Sequence, residues 1–335
     1  MLFSVVIPVY NAECYLSDCL DSLDRQSFQD FEVVLVDDGS TDRSRSICED
    51  YGRMRDMVKV ISKENEGPFV ARREGVAAAC GEYIVPLDAD DGLRPDALEI
   101  LGALAERFEP DILAFGFSRT ADFSTNESRV QLTPGLYTGE TFHMVECAAC
   151  SGNFNTLWAK AFRKEKIVSR QSSDEMRGMM YGEDWLEVLG IVSRSHSLYF
   201  LNESLYFYRP NPSSSVNTYR GEYVSQLFTV LSVLKEQSQQ WGSECCVTAR
   251  SATSAQIFSL LLMIRRSRAL SGRMRRSEYR RVKAYMDKCG VQPHFSLGVS
   301  GYRYLVLRMI SLGFFVVADF LLLIFVAVLH KLRGE

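Results

Sequence analysis

The feature that most constrains this 335-residue chain is the alternation of short apolar runs with helical segments over its first 118 positions. Residues 4–9, 31–36, 58–62, 83–87 and 111–117 are apolar and rich in β-branched side chains, the pattern of strands covered on both faces. Between them apolar residues recur at helical spacing. Leu16, Leu20 and Leu23 share one face behind Asn11, a candidate N-cap, and Ser40 is placed to cap the next helix. A third segment holds Val70, Ala71 and residues 77–79. Such strand–helix–strand repetition predicts an α/β fold with a mostly parallel central sheet and helices on both faces. Sheets of this kind take their ligands beyond the carboxyl ends of the strands.

Composition adds limits. With 47% hydrophobic and 24% charged residues the chain can bury a sizeable core and is not a disordered polymer. The net charge of −4 selects no partner, but its distribution is uneven, and residues 265–283 hold nine basic side chains against one acid, Glu278. Nine scattered cysteines, and an opening that runs from Met1 straight into a strand-like segment without a basic region or cleavage site, point to a reducing compartment. Cys147-x-x-Cys150 and the adjacent Cys245 and Cys246 lack a second pair at zinc spacing and a neighbouring histidine, so they read as small apolar residues. From residue 119 to about 217 the pattern loosens into shorter strands, turns and a helix starting near Glu183; residues 219–240 and 245–270 read as helices.

The strand ends are chemically dense. The first closes on Pro8-Val9-Tyr10-Asn11, the second on Asp37-Asp38-Gly39-Ser40 and the fourth on Asp88-Ala89-Asp90-Asp91. Parallel strands would deliver five carboxylates and an aromatic ring to one crevice, and so much negative charge calls for a cation, a protonated member or hydrogen-bond donors. Asp88-x-Asp90 suits a hard divalent ion held by one or two carboxylates and substrate phosphates. Aspartates after strands also make turns and caps, although Pro95 and Asp96 already supply the start of the next helix.

The strings Ser4-Val5-Val6-Ile7-Pro8-Val9-Tyr10-Asn11, Val36-Asp37-Asp38-Gly39-Ser40-Thr41-Asp42, Asn65-Glu66-Gly67 with Ala71-Arg72, and Gly81-Glu82-Tyr83-Ile84 leading into Asp88-Ala89-Asp90-Asp91 resemble glycosyltransferase family 2 in order and spacing. The resemblance spans residues 1–118, and Trp158-Ala159-Lys160, Glu183-Asp184 and the stretch from Tyr206 to Arg209 extend it to about 217. It implies the GT-A fold, with a nucleotide-sugar-binding half (1–118) and an acceptor-binding half (119–217). A helical basic region (218–296) and a hydrophobic, membrane-associating segment (297–335) then follow. It further implies that Pro8 and Tyr10 line the base pocket, that Asp38 accepts from base or ribose, and that Arg72 lies near base and phosphates. Asp88 and Asp90 would hold ribose and Mn²⁺ or Mg²⁺, with Asp90 the direct metal contact. Inverting transfer needs a carboxylate base, which the resemblance places at Asp184 with Glu183 as rival; both also fit first-turn helix acids. Arg209, before Ser213–Ser215 in a loop resembling one that closes over the donor, is either a diphosphate clamp or a structural arginine. Trp158 is either a sugar-stacking ring or a core residue.

Residues 309–329 are apolar for about the 20 positions a bilayer crossing requires, interrupted by Ser311, Gly313 and Asp319. Asp319 costs about 2.5–3.5 kcal/mol at a bilayer centre, and more than a dozen Leu, Ile, Phe and Val residues return about 0.3–0.6 kcal/mol each. Crossing, lying in the interface, and burial in a soluble assembly are the three readings, and the basic run favours an anionic membrane surface. No aromatic platform interleaves the arginines, so nucleic acid is not an expected partner. These features together predict an inverting enzyme at the cytoplasmic face of the cell membrane. It would take a sugar from a UDP-type donor to a glycan or lipid-linked acceptor in envelope polysaccharide synthesis. A non-catalytic GT-A scaffold is the alternative, against which intact Asp38, Asp88, Asp90 and Asp184 argue. A nucleotidyltransferase would open on a Gly-rich loop after the first strand, and a dehydrogenase would show Gly-x-Gly-x-x-Gly; neither is present.

Overall fold

The structure, a computed structural model, describes residues 1–128, 130–167, 178–210, 219–293 and 301–333, the last four as backbone alone. Residues 213–215, part of the expected donor-covering loop, lie outside the described residues. The chain divides into two compact units, Met1–Pro210 and Asn211–Glu335.

The first unit opens with β1 (Phe3–Val9), α1 (Leu16–Asp24), β2 (Phe31–Asp38), α2 (Ser44–Arg53), β3 (Val58–Lys63), α3 (Pro68–Ala78) and β4 (Tyr83–Pro86). It continues through β5 (Gly92–Leu93), α4 (Ala97–Phe108), β6 (Ile112–Ser118), β7 (Gly135–Thr138), α5 (His143–Cys150), β8 (Lys160–Arg163), α6 (Lys164–Ile167), α7 (Glu183–Val192) and β9 (Ser197–Phe207). These strands form one sheet in the order β3-β2-β1-β4-β8-β6-β9-β5, with β7 beside β9. β1 pairs in parallel with β2, Ile7 opposite Leu35, and with β4, Phe3 opposite Tyr83. β8 enters between β4 and β6 antiparallel to both, so those two strands point the same way, and β9 runs parallel to β6. The carboxyl ends of β1, β2, β4, β6 and β9 therefore share one edge, which brings the stretch after Tyr206 to the edge that carries Asp88–Asp91.

Every residue of β2 is buried, as its unbroken apolar run requires. Val5, Ile7, Val33 and Leu35 pack into the core cluster with Leu16, Leu20 and Leu23 of α1. On the opposite face α3 approaches closely because position 75 has no side chain: a Cβ there would sit 2.4 Å from Val6 Cγ1 and 3.1 Å from Val36 Cγ2. Gly75→Val is expected to destabilise by about 1–3 kcal/mol through overpacking. A melting temperature lowered by several degrees in calorimetry checks it, and an unchanged one contradicts the close approach.

Asn11 and Ser40 are not helix caps. α1 and α2 begin after Tyr15 and Arg43, neither of which gives a side-chain cap. Instead Asn11 Oδ1 accepts from the Thr41 amide at 2.8 Å, and the Asn11 amide donates to Ser40 Oγ at 3.1 Å. The Ala12 amide donates to Ser44 Oγ and the Glu13 amide to Asp42 Oδ2. The short polar residues after the two parallel strands satisfy each other's backbone across the strand ends and hold both loops in register.

The second unit is helical: α8 (Tyr223–Trp241), α9 (Ser243–Arg266), α10 (Gly272–Cys289), α11 (Gly301–Ser311) and α12 (Phe315–Arg333). The apolar stretch 309–329 is not one helix. Gly313 takes a φ of +81°, and its amide and that of Phe314 donate to the carbonyls of Ile310 and Met309, the paired bonds of a glycine-ended helix. A new helix starts at Phe315, and its apolar part, Phe315–Leu329, is short. Among the described residues Ser243–Arg266 is the helix long and apolar enough to cross a membrane, and 44% of its apolar window is buried within the chain.

Candidate active site at the strand ends

The loop after β4 is fastened from the far side of the sheet. Asp91, 2% exposed, accepts from Tyr206 Oη at 2.6 Å and from the Arg209 amide at 2.8 Å. The Arg209 guanidinium donates through Nε to the Asp90 carbonyl at 2.8 Å and through Nη2 to Asp18 at 3.0 Å, between the rings of Tyr15 and Phe207. Both Asp91 and Arg209 thus fix the shape of the Asp88–Asp91 turn. Trp158 is 8% exposed and stacked against Tyr206 and Tyr208, with ring centroids 5.3 and 5.1 Å away, so it is a core residue.

α7 begins after Gly182, whose φ of +83° turns the chain so that Glu183 and Asp184 fall in the first helical turn. Asp184 Oδ1 lies 3.0 Å from Arg72 Nη1 on α3, and Glu187, 5% exposed at its side chain, lies 3.9 Å from the same nitrogen. Buried Asp184 Oδ1 and Arg72 Nη1 are close enough to pair but lack hydrogen-bond alignment. Burial works against the Arg72 charge, yet Asp184, Asp88, Glu187 and Glu183 together hold the guanidinium more firmly protonated than usual. The carboxyls around it show the opposite strain. Burial pushes Asp88 up to about 7, against Arg72 and with help from Asp184 and Asp90. Burial also lifts Glu183 to about 8, Asp184 adding to it, and Glu187 to about 7 despite Arg72 and Arg73. For Asp91, burial and then the Asp88 charge raise the carboxyl to about 8. One buried guanidinium does not balance this many acids. Hard oxygen donors with surplus negative charge fit a divalent cation, and Asp88 and Asp90 are the carboxylates that would hold it.

Pro8, Tyr10 and Asp38 stand at the neighbouring strand ends, one and two strands from β4. Tyr10 is 52% exposed. Asp38 is 2% exposed, and its oxygens accept from the amides of Glu66 and Gly67 at 3.0 and 2.8 Å and from Lys63 Nζ at 3.2 Å. It therefore anchors the Asn65–Gly67 turn that leads into α3 and Arg72.

Residues 4–168 match the family model for glycosyl transferase family 2. The chain carries a glycosyltransferase family 2 domain. EpsJ of Bacillus subtilis (strain 168), named an uncharacterized glycosyltransferase, is 31% identical over 219 residues, which are 64% of this chain and 62% of EpsJ. That match spans less than two thirds of the relative's length. S. aureus TarS 1-349, solved in complex with UDP-GlcNAc, superposes with a TM-score of 0.69 over 100% of this chain and 93% of its own, at 17% identity. The mannosyltransferase PcManGT of Pyrobaculum calidifontis, solved with GDP-Man and Mn²⁺, gives a TM-score of 0.50 at 14% identity over 95% of this chain and 85% of its own. At these identities the structures establish the fold, an α/β GT-A architecture.

Two roles in this cluster escape the motif reading. Glu187 follows Glu183 and Asp184 at helical spacing, so three acids on one face was the available signal. Tyr206 belongs to the motif stretch from Tyr206 to Arg209, but its pairing with Asp91 carried no signal, because the two are distant in sequence. His143, not recognised as a neighbour of Cys147, lies one turn earlier on α5 with Nε2 3.6 Å from Cys147 Sγ, while Cys150 is buried as expected.

Proposed function

We propose that the chain transfers a sugar, with inversion, from a nucleoside-diphosphate sugar of the UDP type to an acceptor hydroxyl. The acceptor would be a glycan or lipid-linked molecule of envelope polysaccharide synthesis, reached at the cytoplasmic face of the membrane. The observation that carries this reading is the meeting of Asp184, from the second half of the sheet domain, with Arg72 and Asp88 from the first. Tyr10 and Pro8 flank the base, Arg72 faces the phosphates, and Asp38 and Arg209 hold the loops around them. Asp88 and Asp90 would hold Mn²⁺ or Mg²⁺, which supplies the charge that lets the diphosphate leave. Asp184, with Glu183 beside it, takes the proton of the attacking hydroxyl on the face opposite the leaving group.

A thermal-shift panel of UDP, GDP, dTDP, CMP and ATP, each with and without Mn²⁺, tests the reading on wild type and Asp90→Ala. UDP is expected to stabilise the wild type by several degrees with Mn²⁺ present, and Asp90→Ala to lose that increment. No metal-dependent shift with any nucleotide favours the non-catalytic scaffold.

A further inference from the structure

α12 has two faces of different character. Its inner face carries buried Ala318 and Leu322 together with Asp319. Asp319 Oδ1 accepts from Tyr279 Oη at 2.8 Å and Arg275 Nε at 3.2 Å, with Arg265 Nε at 3.5 Å. The one acid of the apolar stretch 309–329 is thus turned inward onto three partners from α9 and α10. The outer face is wholly apolar and open to solvent: Val316, Val317, Phe320, Leu323, Ile324 and Val328 are each at least 41% exposed, and their spacing follows one side of the helix. An uncovered apolar stripe of this extent marks an interaction surface.

Charge and length say what covers it. The Arg280 guanidinium lies 5.7 Å from the centre of the Phe315 ring, so α10 brings a cation to the start of α12, and Arg273 is exposed two turns earlier on α10. Arg308, exposed in the last turn of α11, adds a cation near the helix start. An exposed apolar helix face in a unit whose residues 265–283 carry nine basic side chains complements an anionic bilayer surface. The helical part Phe315–Leu329 spans about 22 Å at 1.5 Å per residue, short of the roughly 30 Å hydrocarbon core. Crossing would also carry Asp319 away from its partners.

We propose that α12 lies in the plane of an anionic lipid bilayer, its outer face in the acyl boundary and Arg273, Arg280 and Arg308 at headgroup level. Asp319 is the clamp that fixes which face turns to lipid. This names the lipid partner within the membrane-facing part of the proposed function and rests on it for physiological meaning only. A chain that binds vesicles but transfers no sugar, or the reverse, separates the two.

Flotation of the full chain with phosphatidylcholine vesicles, with and without 30% phosphatidylglycerol, tests the proposal. Wild type is expected to float with the anionic vesicles and to be released by high salt. Phe320→Asp/Ile324→Asp is expected to lose at least about tenfold in partitioning with its melting temperature kept, and Arg273→Glu/Arg280→Glu to lose the preference for anionic lipid. Protease added to intact spheroplasts of an expressing bacterium is expected to leave a C-terminal tag uncut. Flotation unaffected by Phe320→Asp/Ile324→Asp overturns the proposal. So does a wild-type dimer that this variant converts to monomer without any vesicle binding, because a second copy then covers the face. Cleavage of the tag overturns it by showing a crossing.

Discussion

Asp184→Asn is expected to lower kcat for sugar transfer about a thousandfold while leaving the metal-dependent affinity for UDP within a few-fold. Loss of a positioned general base costs 10²–10⁴ in rate as a rule, and asparagine keeps the shape of the carboxylate without its basicity. Binding is spared because Arg72 does not become an unpaired buried charge. Glu187 lies 3.9 Å from it, and the Asp88 charge also acts on it. Glu183→Gln is the necessary control. Glu183 is raised to about 8 by burial and by Asp184, so near neutrality it holds a proton and is a poor acceptor for another. Its substitution is expected to cost about tenfold or less in kcat. Initial rates with a soluble acceptor, paired with titration of UDP and Mn²⁺, separate kcat from binding. If Glu183→Gln is the silent-binding, dead-rate variant and Asp184→Asn retains activity, the base is Glu183. If both retain transfer, neither carboxylate is the base.

Which parts of this site were visible in the sequence follows from how locally each was determined. The ends of β1, β2 and β4 were legible because each strand is a continuous apolar run that must be covered on both faces, and parallel strands end together. The arrival of Tyr206 and Arg209 was legible through the family resemblance alone, not from periodicity. It depends on β8, four residues from Lys160 to Arg163, which inserts antiparallel between β4 and β6 and so sets the direction of β6 and β9. No periodicity in four residues encodes that. Asn11 and Ser40 were legible as polar strand-end residues but not as mutual braces, because the same side-chain chemistry serves caps and cross-loop bonds alike. Hydropathy along 309–329 counts apolar residues and is blind to the left-handed turn at Gly313. It is equally blind to Arg275, far back in the chain, which meets Asp319 and makes it a clamp rather than a penalty.

Stability should report the same charge surplus that fits the metal. In EDTA the melting temperature is expected to fall as pH rises from about 6 to about 9, and Mn²⁺ is expected to flatten that fall. Burial raises Asp88 and Glu187 to about 7 and Asp91 and Glu183 to about 8 in the folded chain, whereas unfolded carboxyls titrate near 4. Between those limits the folded state binds more protons than the unfolded one, so stability falls with pH. The slope is about 1.4 kcal/mol per pH unit for each extra proton held. This contribution is fully present below about 4 and is lost as pH rises through the folded values of about 7 and 8. A divalent ion acts with the opposite slope, because it binds the deprotonated carboxylates of the folded chain alone. At a hundred times its dissociation constant it adds about 2.7 kcal/mol. The two curves should therefore diverge above neutrality. Asp91 separates the contributions, since its oxygens are taken by Tyr206 and the Arg209 amide rather than offered to the ion. Asp91→Asn should flatten the EDTA curve at its alkaline end and leave the Mn²⁺ increment in place. Parallel curves with and without Mn²⁺ would remove the ion from the Asp88–Asp90 pair, and with it the account of how the diphosphate leaves.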